Sequence, residues 1–315
     1  MSTEFLPFEE EKIHSITTVR KGIEPVICVI NGFMSESGSD VTDWLSIVDV
    51  LYPNNKVVHF DWPAGNLKNM LFSDAGSNGG ADNGISMEDG ATINLFKVNP
   101  TISAASVVAN QITGRWQSSL KNAEKAGQFL ASHINRSQEN FVLMGHSLGA
   151  RISYYTLKDL SRFGAIESAL LFGGAITHTG EWQKILHRHP NLWICNCYSH
   201  NDIVLKFLYK AGTLFTNSPI GLSRIESNHQ HLYNFNTSEY VSGHTDYKNK
   251  TVGNFLAWKF VEIQERQALA QQFVTSKEEL NSIREKTFKN NQKFENQLNA
   301  LNSEQQRSID AIYKI

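Results

Sequence analysis

Gly145-His146-Ser147-Leu148-Gly149 is a G-x-S-x-G string placed between an apolar run, Phe141 to Met144, and a helical pattern that opens at Ser147. A serine held on a sharp strand-to-helix turn projects its hydroxyl above a sheet, at the positive end of a helix dipole that favours developing negative charge. The flanking glycines suit such a turn, because a side chain at either would strike the neighbouring strand or helix. A five-residue string recurs by chance. The strand before it and the helix after it make Ser147 a candidate nucleophile.

A nucleophilic serine needs a base, and the base needs an orienting acid. Asp202 ends the turn Ser199-His200-Asn201-Asp202, directly after the apolar run Leu192 to Tyr198, and His244 lies in Ser242-Gly243-His244-Thr245-Asp246-Tyr247. Asp202 comes 55 residues after Ser147 and His244 another 42 after that, which leaves room for the intervening strands and helices. His200, His229 and His231 are rival bases, and Asp246 is a rival acid. An oxyanion would be met by the backbone N–H of Leu148 and by an N–H from the loop Asn31-Gly32-Phe33-Met34, with Gly32 and Phe33 as the candidates. His187-Arg188-His189 and His229-Gln230-His231 suggest a metal pair, yet no cysteine or carboxylate cluster completes either, so neither metal nor cofactor is expected. Arg151, one turn into the helix after Ser147, is expected to pair with a carboxylate.

These residues need strands and helices to hold them. Pro25 to Ile30 and Lys56 to Trp62 are continuous apolar, β-branched runs stopped by Asn31-Gly32 and Pro63, and Asp43 to Leu51 between them carries helical spacing. Asn140 to Met144 predicts a third strand, Ser147 to Phe163 a helix, and Ser168 to Phe172 and Leu192 to Tyr198 two more strands. Continuous apolar strands separated by helices predict a mainly parallel sheet covered on both faces. From Gly65 to Thr92 six glycines lie among Asn, Asp and Ser, before a long helical pattern from Ala104 towards Ile134. So long a connection predicts a lid-like insertion at about residues 63–110, with a disordered excursion as the alternative.

Composition sharpens the division of the chain. Of 315 residues 41% are hydrophobic and 19% charged, and the formal net charge is -2, which speaks against nucleic acid as a partner. The charge is uneven: Glu262 to Ile315 holds 8 acidic and 8 basic residues and no Gly or Pro, whereas the rest is about 17% charged, below the usual quarter. The expected organisation is a domain over residues 1–261 followed by a helical tail over 262–315. Phe273, Leu280, Phe294 and Leu301 share a heptad register in that tail, interrupted by Thr287 and Ser308, which makes it a candidate coiled coil for self-association. Cys28, Cys195 and Cys197 lie in apolar runs and read as buried small hydrophobes of a reducing compartment. With neither a secretory leader nor a membrane-spanning run in sight, a cytoplasmic location is expected, with peripheral membrane contact left open.

Together, Gly145 to Arg151, Asn196 to Leu205 and Gly243 to Tyr247 resemble, in that order, the α/β-hydrolase superfamily. Within it they resemble the hydrolase-like domain of the transmembrane and coiled-coil domain-containing proteins, over roughly Val26 to Phe260. The resemblance implies an α/β-hydrolase fold with Ser147 as nucleophile, Asp202 as acid and His244 as base. The expected activity is hydrolysis of a carboxylic ester, a lipid or other acyl ester, through an acyl-enzyme. A hydrolase-fold interaction module that oligomerises through its tail, and a bacterial toxin or defence lipase, are the alternative readings.

Overall fold

The computed structural model describes residues 14–32, 41–63, 102–206 and 218–312. The expected lid-like insertion and Phe33 therefore lie almost entirely outside the described residues. The chain divides into two compact units, Met1–Phe255 and Leu256–Ile315.

In the first unit the described elements run β1 (Ser15–Arg20), β2 (Ile23–Ile30), α1 (Thr42–Leu51), β3 (Asn55–Asp61), α2 (Ile102–Arg136), β4 (Phe141–His146) and α3 (Leu148–Asp159). They continue as β5 (Ile166–Phe172), α4 (Trp182–Arg188), β6 (Trp193–Tyr198), β7 (Leu232–Asn236) and α5 (Lys250–Ile312), a helix that starts in the first unit and extends through the second. The strands form one seven-stranded sheet in the order β1-β3-β2-β4-β5-β6-β7. Only β1 is antiparallel to its neighbour. This is the α/β-hydrolase fold.

The sheet is covered on both faces. Along β2, Val26, Cys28 and Ile30 point into a core shared with α2, α3 and α4 through Leu130, Ile152 and Trp182. The opposite face carries α1, whose Trp44, Ile47 and Val48 are buried, with Trp44 edge-on to Phe172 at 5.8 Å. Gly253, at the start of α5, packs on that same face within contact of Ile47 and Val50. The continuous apolar runs within the central strands follow from this two-sided burial. Burial in the same layers raises the Cys28 and Cys195 thiols to about 12, so both stay protonated.

Register decides what the sheet can present. Ile30 pairs with Gly145, His146 with Phe172, and Phe172 with Cys197. The carboxyl ends of four adjacent strands are therefore level, and the loops after β2, β4, β5 and β6 leave the sheet along one edge, where open α/β sheets place their sites.

The sheet also extends the sequence expectation. β1 and β7 add a strand at each edge, β4 runs on through Gly145 and His146, and α3 stops at Asp159 rather than Phe163. The tail expected to be helical over 262–315 is the continuation of α5, which begins at Lys250 and runs unbroken to Ile312. No described helix is long and apolar enough to cross a membrane.

Candidate active site

Ser147 stands between the last residue of β4 and the first of α3 with φ 56°, and among the described residues it is the one non-glycine with positive φ. An L-residue is strained there. The strain persists because packing fixes both ends of the turn: Ser147 N–H donates to Phe172 O at 2.9 Å, and Ser147 O accepts from Ala175 N at 3.1 Å. Gly149 permits the turn to sit against β2, since a Cβ there would stand 2.1 Å from Ile30 O.

The loop after β2 closes over the serine. A Cβ on Gly32 would stand 2.6 Å from Ser147 Cβ and 3.2 Å from its Oγ, so only a glycine backbone approaches this closely. Asn31 anchors the loop: its Oδ1 accepts from Trp44 Nε1 at 2.8 Å, and its carbonyl accepts from Trp62 Nε1 at 2.9 Å. The N–H of Leu148 begins α3 beside the same serine. These are the elements from which a pair of oxyanion donors would come.

Asp202 and His244 meet at this edge. His244 Nδ1 lies 2.7 Å from Asp202 Oδ2, and both side chains are almost wholly buried. The other carboxylate oxygen, Oδ1, accepts from Leu205 N at 2.9 Å, which satisfies a charge that would be costly to bury alone. Tyr247 O–H faces both Gly221 O, at 3.2 Å, and Asp202 Oδ2, at 3.5 Å. Burial and then the Asp202 carboxylate push the Tyr247 phenol far above its ordinary range, so it remains a donor.

The rivals have other partners, His200 lying edge-on to Tyr198 at 5.5 Å. Asp246 accepts from Ser242 N, at 3.2 Å, and from the Ser242 hydroxyl, closing its own loop. His229 stacks edge-on between His187 and His231, while His178 pairs with Glu226 at 3.2 Å. Among the described residues no group of three His, Cys, Asp or Glu is arranged to hold a metal ion. Arg151 departs from expectation: its partners are Leu120 O at 3.3 Å and the hydroxyl of Tyr155 at 3.0 Å, with the guanidinium 5.1 Å from the Tyr155 ring. It ties α3 to α2 and to its own next turn, with no carboxylate in these bonds.

Two residues with no sequence signal join the cluster. His146 Nε2 lies 2.7 Å from the carbonyl of His244. Lys248 Nζ lies 3.4 Å from Asn31 Oδ1 and 3.3 Å from Asp43 Oδ2, with only 8% of its side chain exposed. Neither contact follows from residue type or spacing, because one partner is a main-chain carbonyl and the other is more than 200 residues away in the chain.

A family model described as "Protein of unknown function (DUF726)" matches residues 100–259, which include Ser147, Asp202 and His244. The "Probable lipase MIL1" of Saccharomyces cerevisiae is 31% identical over 163 residues, 48% of this chain and 15% of that protein. The "Uncharacterized membrane protein F35D11.3" of Caenorhabditis elegans is 30% identical over 153 residues, 45% of this chain and 24% of that protein. The matched stretch thus spans less than a quarter of either relative. Among solved structures, mouse alpha/beta hydrolase domain-containing protein 10 aligns at 12% identity and a TM-score of 0.36, covering 85% of this chain and all of that one. A Bacillus cereus carboxylesterase aligns at 12% identity and 0.29, covering 77% and 92%.

Proposed function

The chain belongs to the family described as a protein of unknown function (DUF726), and from that premise we propose that it is a serine hydrolase of carboxylic esters. The observation that carries the reading is the buried His244–Asp202 pair, 2.7 Å apart, on the sheet edge where Ser147 occupies its strained turn. Ser147 Oγ attacks the acyl carbonyl while His244 takes the hydroxyl proton on Nε2, and Asp202 holds Nδ1–H and steadies the imidazolium. The tetrahedral oxyanion is met by the N–H of Leu148 and by an N–H of the Gly32 loop, Gly32 or Phe33. His244 then returns its proton to the departing alkoxide, leaving an acyl ester on Ser147. Water, deprotonated by the same imidazole, cleaves that ester and releases the acid.

A lipid or other long acyl ester is the favoured substrate class. Support comes from the yeast relative named a probable lipase and from the resemblance of the three motifs to the transmembrane and coiled-coil domain-containing proteins. A fluorophosphonate probe should label the full-length protein and fail to label Ser147→Ala. A folded wild type that stays unlabelled would overturn the proposal. Turnover of matched esters with short and long acyl chains then decides the substrate class.

A second reading, for the tail, rests on Phe273, Leu280, Phe294 and Leu301, which repeat on α5 and are 51% to 71% exposed. A stripe of this kind is the seam of a self-associating helix. Sedimentation of Phe273→Lys/Phe294→Lys beside wild type tests it; identical masses would exclude self-association through this stripe.

A further inference from the structure

We infer that His146, the residue before the nucleophile, is a positioning residue that fixes the main chain of His244. The inference rests on the reading of Ser147, Asp202 and His244 as a triad. It begins with the base: the loop from Ser242 to Asn249 is neither helix nor strand, so the backbone of His244 has no ladder to hold it. Asp202 fixes the ring through Nδ1, and Asp246, Tyr247 and Lys248 tie the rest of the loop, but these bonds are made away from the main chain of His244 itself. The bond of 2.7 Å from His146 Nε2 to His244 O supplies the second point.

The chemistry of that bond is one-directional. A carbonyl can only accept, so His146 must carry its proton on Nε2. His146 is 7% exposed and His244 5%, their ring centroids are 4.7 Å apart, and Tyr247 closes a third side at 5.8 Å. Water has little access to compete for the carbonyl. Because His146 is also the last residue of β4 and directly precedes Ser147, the bond places nucleophile and base in one frame: a movement of the elbow carries the base loop with it. Orientation of this kind bears on the rate of the reacting step rather than on substrate affinity.

The test compares two full-length variants of similar side-chain length, His146→Gln, whose amide can donate to the carbonyl, and His146→Met, which cannot. The expected result is a loss of kcat on an activated ester of about 10- to 100-fold in His146→Met, with KM within about twofold. His146→Gln should recover to within about fivefold of wild type, and the fluorophosphonate labelling rates should follow the same order. If the Met variant does not fold, His146→Asn, one methylene too short to reach, takes its place against Gln. Equal rates for donor and non-donor variants in a wild-type background that labels would overturn the positioning role. A wild type that never labels instead removes the triad reading on which the inference stands, so the two failures are distinct.

Discussion

Lys248 Nζ and Asn31 Oδ1 are 3.4 Å apart. The residue four positions after the proposed base therefore touches the residue just before Gly32, and the loops carrying base and oxyanion donors are joined at their roots. Trp44 shares the junction: its indole donates to the same Asn31 oxygen, and its ring lies 5.4 Å from the ammonium. Asp43, the other partner, keeps 64% of its side chain in solvent, so losing the cation leaves no buried carboxylate behind. Lys248→Met should cost about 1–2 kcal/mol from the lost charge-assisted bonds, seen as a Tm several degrees lower, and should slow fluorophosphonate labelling. Wild-type labelling in that variant would show that the two loops are positioned independently.

Ser147 offers a test of strain separate from chemistry. At φ 56° its backbone holds a conformation that costs about 1–3 kcal/mol for an L-residue, and glycine adopts it freely. Ser147→Gly should raise stability by about 1 kcal/mol, once the greater freedom of glycine in the unfolded chain is deducted, while abolishing labelling. Ser147→Ala should abolish labelling at unchanged Tm. Calorimetry on the pair checks this, and a Gly variant less stable than the Ala variant would contradict it.

His146 gives a pH dependence of definite sign. Burial, then the neighbouring His244 and Lys248, hold its imidazole well below the usual histidine range. The unfolded chain takes up this proton near pH 6.5 and the folded chain does so only at much lower pH, so acid favours unfolding. The folded state is unaffected above about pH 6.5 and loses about 1.4 kcal/mol per unit as the pH falls below it. His146→Gln removes that proton, so denaturant titrations between pH 6 and 5 should show a stability slope shallower than wild type by about one proton. Parallel slopes would mean that the folded protein protonates His146 readily.

Tyr247→Phe removes a hydroxyl that faces Gly221 O and Asp202 Oδ2 and leaves the ring in place. A loss of about 1 kcal/mol is expected, together with a fall in kcat, because Asp202 loses a neighbour that steadies it against His244. Chemical denaturation and ester kinetics on the same preparation report both. An activity unchanged at lowered stability would confine Tyr247 to packing.

Much of this architecture was legible before any coordinates because burial writes itself into composition. The runs around Cys28, Leu143 and Leu170 are apolar throughout, as a sheet covered on both faces demands, and the elbow is marked by glycines that nothing else could replace. The edge strands were not legible. Ser15–Arg20 is half exposed and mixes Thr with Arg, and Leu232–Asn236 alternates with Asn and Tyr, so neither carries the continuous apolar signal of the centre. The tail, by contrast, was legible: residues 262–315 contain no Gly or Pro to stop a helix, and α5 runs on to Ile312 although its apolar packing thins out after Phe260. His146 and Lys248 were invisible in principle, since a bond to a carbonyl or to a distant amide leaves no spacing to read.

The close approach of Gly149 to Ile30 O carries a consequence for variation between individuals and between relatives. A chain can keep Ser147, Asp202 and His244 unaltered and still lose the proposed activity, because a side chain at position 149 would push the serine's turn off the strand beside it. Inheritance of the three proposed groups alone is therefore a poor guide to which copies of such a gene keep the proposed activity. The more telling position is one that has no side chain at all.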